Sequence, residues 1–322
     1  MSLLPEIHFH INPREAGDWR GRERLALFTR LAEMCEAHGL TYRAIPRPGH
    51  EMQTRIGKAD GNIHVVENGR MQGEGWLNAA TAYLRGFWHM DPRGMQAESS
   101  AIDDVFDPAA VDGVAAEAFL RALKASFVDP RRSRYRQPRE VDASIPDGAV
   151  ALFLQGPSAY GNGRCDLPMT EMIRIVAGAS GGRPVVVKPH PQMPEIGGLA
   201  MYDALEGGAD FLLSQANVHD ILARCAVTVS VNSAVAMEGF LHGKPAILFG
   251  KSDFPSLIVR AHGPDDYPAA LQRALAADWP FARMLHWYFS RHTLELAAPD
   301  FEARAFAAFG KVGFPKDRLG LE

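Results

Sequence analysis

From position 149 onward, short unbroken apolar runs alternate with stretches whose apolar residues recur at helical spacing. The pattern predicts strands over 149–154, 184–188, 210–213, 226–231 and 245–249, and helices over 168–177, 199–205, 218–224 and 234–242. Strands that are apolar throughout, each followed by a helix, imply a parallel sheet covered on both faces. The first half uses the same vocabulary less regularly, with strands expected over 7–11, 41–45 and 63–67 and an amphipathic helix over 22–38. Little apolar content lies between 129 and 147, where Arg, Pro, Ser and Asp dominate, so that stretch reads as a linker. The expected division is therefore 1–146 as one α/β domain with its linker and 147–280 as a second. Residues 281–322 form a C-terminal helical segment that packs back on the first domain. Trp279, Phe281, Trp287, Tyr288 and Phe289 read as its packing residues. The fold class is α/β, with two Rossmann-like domains facing a cleft.

Composition narrows the function classes. A chain of 322 residues with 47% hydrophobic and 22% charged content has the makeup of a folded globular protein with room for two cores. A formal net charge of −4 argues against broad nucleic-acid binding. Arg131-Arg132-Ser133-Arg134-Tyr135-Arg136 is the one basic run; it reads as solvated linker, with contact to anionic lipid or a polyanionic acceptor as the other reading. Cys35, Cys165 and Cys225 are scattered and odd in number, which excludes a disulfide framework and a paired-cysteine zinc site and suits a reducing compartment. With no leader pattern and no apolar run of spanning length, a cytoplasmic location is expected, with attachment to the inner face of a membrane as an option.

The chemistry-bearing residues sit where predicted strands end. Val185-Val186-Val187-Lys188-Pro189-His190-Pro191 closes a buried strand with a cation and an imidazole, held by two prolines that restrict the chain. In open α/β sheets ligands sit at carboxyl ends of strands, and such a pair suits a phosphate; a solvated Lys and a turn His fit the segment equally. Asn232-Ser233 follow another strand and open the helix containing Glu238. They can cap that helix or help hold a phosphate oxygen, and Glu238 can be an exposed acid or a partner for a hydroxyl pair such as a ribose. Gly243 reads as the terminator of that helix. Gln155 ends the strand at 149–154 and opens a Gly-rich loop running to Asp166, which can be a nucleophile or a helix cap ahead of Pro168. Asp220 reads as a first-turn helix acid. In the first half, His8 and His10 alternate on one face of a strand, and 86–94 with 98–100 reads either as an aromatic, charged loop of the carbohydrate-binding kind or as a packed turn around Trp88. No metal-ligating cluster is evident.

Taken together, Leu152-Phe153-Leu154-Gln155 with Asp166, Val187-Lys188-Pro189-His190-Pro191, His219-Asp220-Ile221-Leu222, and Val229 through Glu238 followed by Gly243-Lys244-Pro245 resemble the capsule polysaccharide biosynthesis family that includes the bacterial β-Kdo transferases of the KpsC and KpsS type. The resemblance covers roughly 150–255. It implies a GT-B-like glycosyltransferase that takes a sugar, typically Kdo, from a CMP-activated donor to a saccharide or glycolipid acceptor. By the same resemblance, Lys188 and His190 meet the donor phosphate, Asn232 and Ser233 complete its cradle, Glu238 holds the ribose, and Gln155…Asp166 matches a motif whose acid forms a glycosyl adduct. His190 and Asp166 would then be catalytic. No cofactor and no metal is expected beyond the CMP-sugar substrate. Two other readings share parts of the pattern: a CDP-polyol phosphotransferase of the teichoic-acid type, and a non-catalytic protein that binds nucleotide sugar.

Overall fold

The computed structural model describes residues 4–47, 56–160, 164, 165 and 167–322. In chain order these form β1 (Ile7–Ile11), α1 (Ala26–Ala37), β2 (Tyr42–Pro46), β3 (Ile63–Glu67), β4 (Trp76–Thr81), β5 (Phe87–Asp91), α2 (Gly113–Leu123), β6 (Val150–Phe153), α3 (Met169–Gly178), β7 (Val185–Lys188) and α4 (Pro194–Glu206). They continue with β8 (Leu212–Leu213), α5 (Val218–Arg224), β9 (Val227–Ser230), α6 (Val235–Leu241), β10 (Ala246–Leu248), β11 (Val259–Arg260), α7 (Tyr267–Ala276), α8 (Phe281–His292), β12 (Leu294–Glu295) and α9 (Phe301–Lys311). The chain divides into two compact units, residues 1–104 with 288–322, and residues 105–287.

The first unit is built on a six-stranded sheet of order β12-β5-β4-β3-β1-β2. Strands β2, β1, β3 and β4 are parallel, and β5 and β12 join antiparallel. All five positions of β1 are buried, and its alternation sorts them by face. Ile7, Phe9 and Ile11 enter the core with Phe28 and Leu31 of α1 and Phe301 and Phe309 of α9. His8 and His10 lie on the opposite face. The helix expected over 22–38 starts as a single tight turn, Glu23–Leu25, before α1.

Within the stretch around Trp88, residues 87–91 are a strand in place of the expected loop or turn, while Trp88 lies in the core as one of the two readings had it. Phe87–Asp91 is β5, buried at every position, with Trp88 and Met90 in the core beside α1. Its polar residues reach the other face of the pleat, which is why a mixed aromatic and charged pentamer reads as irregular in one dimension. Asp91 accepts hydrogen bonds from the backbone N–H groups of Arg93, Gly94 and Ser100 and from the Ser100 hydroxyl, so the carboxylate shapes the following turn.

The second unit has an all-parallel sheet of order β11-β10-β9-β6-β7-β8. Val150, Leu152, Val185, Val187, Val227 and Val229 pack on one face with Ile173 and Val176 of α3 and Leu271 of α7. Ala151, Phe153 and Val186 pack on the other with Ile221 and Leu222 of α5. Burial on both faces is what the unbroken apolar runs require.

The expected boundary at 146/147 moves. Residues 105–146 go with the second unit, because the arm over 131–142 is fastened to α5. Arg131 pairs with Asp220 at 2.6 Å, and the Asp142 N–H donates to the same carboxylate at 3.0 Å. Asn217 Nδ2 donates to the Pro138 carbonyl, the Val218 N–H donates to Gln137 Oε1, and His219 Nε2 donates to the Arg132 carbonyl. The basic run is thus a pinned strap in its backbone and at Arg131, while Arg132, Arg134 and Arg136 stay exposed as a solvated stretch would have them. At the other end, the boundary falls within α8, at 287/288, and residues from 288 join the first unit. Among the described residues no helix is long and apolar enough to cross a membrane.

Candidate functional site

In the second sheet the chain moves outward from β6 to β7 and β8, then returns to β9 on the other side of β6. The winding reverses between β6 and β9, the switch point at whose carboxyl side open α/β sheets bind ligands. Gln155, two residues beyond β6, meets Asn232, two residues beyond β9. Gln155 Nε2 donates to Asn232 Oδ1 at 3.0 Å, while Gln155 Oε1 accepts from the Asn232 N–H at 2.8 Å. Asn232 Nδ2 also donates to the Lys251 carbonyl at 3.1 Å. The two amides therefore join the exits of β6 and β9 and hold each other's orientation.

Gly250 lets the next turn press against the exit of β9. Its N–H donates to the Val231 carbonyl at 2.6 Å, and a Cβ there would lie 2.4 Å from Val231 Cγ1. Ser233 follows Asn232 and is half-buried; its hydroxyl accepts from the Val235 N–H at 3.3 Å, as expected for a residue at the opening of α6. Helix α6 ends at Leu241, and Gly243 beyond it has φ of +67°, the left-handed conformation expected of a helix terminator.

On the other flank of β6, Lys188 and His190 part company. Lys188 is buried, its ammonium donates to the Ala216 carbonyl at 2.7 Å, and burial lowers its pKa. Its side chain thus ties β7 to the segment entering α5. His190 is half-buried beyond Pro189. Its Nδ1 accepts from the Gln192 N–H at 3.3 Å, so the neutral ring carries its proton on Nε2. Burial first, and then the charge of Arg134, lowers its pKa. Tyr135 meets the ring edge-on at 5.1 Å.

Glu238 on α6 is 5% exposed, and burial pushes its carboxyl up to about 7 against the opposing effects of a hydrogen bond from Ser133 and the charge of Arg134. Three consecutive residues of the pinned arm thus serve the edge: Ser133 bonds Glu238, Arg134 acts on both Glu238 and His190, and Tyr135 packs on His190. His190 and Ser233 follow the carboxyl ends of β7 and β9, the two strands that flank β6, so both leave the sheet at the same edge.

Chemically, the edge offers a permanent guanidinium, a neutral imidazole donor and a carboxyl group balanced between its two protonation states near pH 7. That set can neutralise one phosphate and hold a pair of hydroxyls. Asp166, the candidate nucleophile, lies outside the described residues.

No protein-family model matches the chain, and no curated protein matches it by sequence. Solved structures do match. The KpsC β-Kdo 2,7 transferase of Thermosulfurimonas dismutans aligns over 96% of this chain and 99% of its own at 13% identity, with a TM-score of 0.54. The chain has a KpsC-like fold. The KpsC β-Kdo 2,4 transferase of the same organism matches with 88% and 89% of the two chains covered, 13% identity and a TM-score of 0.49. A UDP-GlcNAc 2-epimerase of Methanocaldococcus jannaschii follows at 97% and 100% coverage, 9% identity and a TM-score of 0.38.

Within this KpsC-like fold, Gln155, His190, Asn232, Ser233 and Glu238 come to one edge of the second sheet, with Lys188 behind them. Sequence reasoning missed the arm. Ser133-Arg134-Tyr135 is separated from Glu238 by about a hundred residues, and the one available signal was that a serine and a tyrosine interrupt the basic run. Sequence spacing also did not single out a grouping of His and Asp in the first unit. There, one ligand atom each from His8, Asp60 and His64 all lie within 4.8 Å of one another. Register between β1 and β3 pairs His8 with His64, and Asp60 joins them from the segment before β3.

Proposed function

We propose that this chain is a glycosyltransferase of capsule or surface polysaccharide synthesis, moving Kdo from a CMP-activated donor to a saccharide or glycolipid acceptor. The observation that carries the reading is that the arm over 131–142 reaches the carboxyl edge of a parallel sheet beside its switch point, where Tyr135 packs on His190 and the charge of Arg134 acts on both His190 and Glu238. The KpsC-like fold supports it.

Departure of CMP leaves negative charge on phosphate and builds positive charge at the anomeric carbon. Arg134 supplies a fixed positive charge for the phosphate, and His190 donates from Nε2 to a phosphate oxygen. Because burial and Arg134 favour its neutral form, His190 acts as a hydrogen-bond donor without a charge of its own. The Gln155 and Asn232 amides hold the junction of the β6 and β9 exits, Ser233 extends it, and Lys188 fixes the exit of β7. Glu238 accepts from the ribose hydroxyls. Asp166 is the carboxylate proposed to attack the anomeric carbon, forming a glycosyl ester as CMP leaves, and the acceptor hydroxyl then displaces it. The donor phosphate is held without magnesium.

Incubation with CMP-Kdo and a panel of saccharide and glycolipid acceptors tests this, with CMP release and glycosylated product as readouts. Acceptor-dependent CMP release that is lost in Asp166→Ala supports the proposal. Binding of CMP without turnover on any acceptor would favour a non-catalytic nucleotide-sugar protein, and turnover of a CDP-polyol would favour phosphotransfer.

A further inference from the structure

We propose that the first unit carries a divalent transition-metal site of the zinc type, formed by His8, Asp60 and His64. His8 lies directly opposite His64 in the register of the parallel pair β1 and β3, so both imidazoles stand on the face of the sheet turned away from α1. Asp60 reaches them from the turn before β3, with Oδ1 at 3.1 Å from His64 Nε2. Zinc bonds of about 2.0–2.1 Å to nitrogen and oxygen place neighbouring tetrahedral ligands about 3.3 Å apart. The His64 and Asp60 atoms already have that spacing, and the three ligand atoms lie within 4.8 Å of one another.

The rings are held as metal-binding histidines are held. Trp76 stacks on His64 at 4.1 Å with 7° between the planes, and its own Nε1 donates to the Lys58 carbonyl. The far nitrogen of His64, Nδ1, is 2.9 Å from His10 Nε2, the outer partner that fixes a ligand ring in its working tautomer. His10 is 5% exposed, and its Nδ1 is buried with no hydrogen-bond partner.

Charge favours a cation. Glu6 has Oε2 at 3.1 Å from His8 Nε2, and Arg43 Nε donates to the same ring nitrogen at 3.0 Å and pairs with Glu6 at 3.3 Å. The charged groups at the cluster are Glu6, Asp60 and Arg43, a sum of −1 with neutral imidazoles. Arg43 keeps 59% of its side chain exposed and can turn away, leaving Glu6 beside the fourth position. Two imidazoles with a carboxylate select zinc and its neighbours over magnesium or calcium, which prefer all-oxygen sites.

The test is calorimetric titration of the tag-free full chain with zinc(II) after chelator treatment, together with the visible absorption of added cobalt(II). One saturable zinc equivalent of micromolar or tighter affinity is expected, with the cobalt spectrum of a four-coordinate site. Loss of an outer partner weakens metal sites by about 10–100-fold, so His10→Leu should fall in that range. Direct-ligand variants His64→Gln and Asp60→Asn should lose more. Asp60 is half exposed, so its variant keeps the measurement decisive if His64→Gln fails to fold. His38→Ala, on the surface of the same unit, should bind as the parent does. Absence of saturable zinc binding in the parent, or parent-like affinity in Asp60→Asn, overturns the proposal.

Discussion

A carboxyl group as buried as that of Glu238 is a poor structural choice unless its ionisation has a use. With its pKa raised from an ordinary 4.5 to about 7, the folded state holds a proton that the unfolded chain releases between those values. Its contribution to stability is therefore fully present below 4.5 and is lost as pH rises to about 7. His242 works in the opposite sense, because burial and the neighbouring His219 lower its pKa to about 4, so its contribution falls with acidification below 6.5. The two slopes oppose each other in the parent. They separate in a variant: Glu238→Gln, measured by urea unfolding, should gain stability relative to the parent as pH rises from 4.5 to 7 and stay level above. A difference independent of pH would refute the burial of that charge. Gly250 gives a second test at this scale. Gly250→Ala puts a Cβ against Val231 and should cost about 1–3 kcal/mol in unfolding experiments, and CMP binding should weaken as Asn232 is displaced.

At the scale of elements, the arm over 131–142 decides whether the site exists. Asp220 was legible as a first-turn acid of α5, yet its partners Arg131 and Asp142 lie 89 and 78 residues away, and only the fold reveals them. Breaking a buried ion pair costs about 3–5 kcal/mol; because the Arg131 side chain keeps 24% exposure, Asp220→Ala should cost about 2 kcal/mol by thermal or chemical unfolding. It should also raise proteolytic cleavage within 131–142, and an arm equally resistant in variant and parent would contradict the strap. The strands β6, β7, β9 and β10 were legible within one or two residues at each end because burial on both faces leaves a continuous apolar signature. At the sheet edge, β8 shrinks to Leu212–Leu213, both exposed, since an edge strand has one neighbour to pair with. Strands β4 and β5 escaped detection because Asn78, His89 and Asp91 are buried polar residues whose partners are set by tertiary structure.

For the whole molecule, the sequence made the two α/β units and the sheet edge of the site readable, but not how the chain is shared between them. The stretch 105–146 has a linker's composition and yet belongs to the second unit through hydrogen bonds that pattern cannot encode. Candidate residues drawn from three strand ends and one helix met at a single edge because parallel strands all deliver their carboxyl ends to the same side. The measurement that tests this most directly is calorimetric titration of CMP into the parent, His190→Ala and Arg134→Ala proteins. One CMP should bind the parent saturably, and each variant should bind at least about tenfold more weakly, the loss of a hydrogen bond to a charged group. Failure of the parent to bind CMP, or parent-like affinity in both variants, would contradict the account.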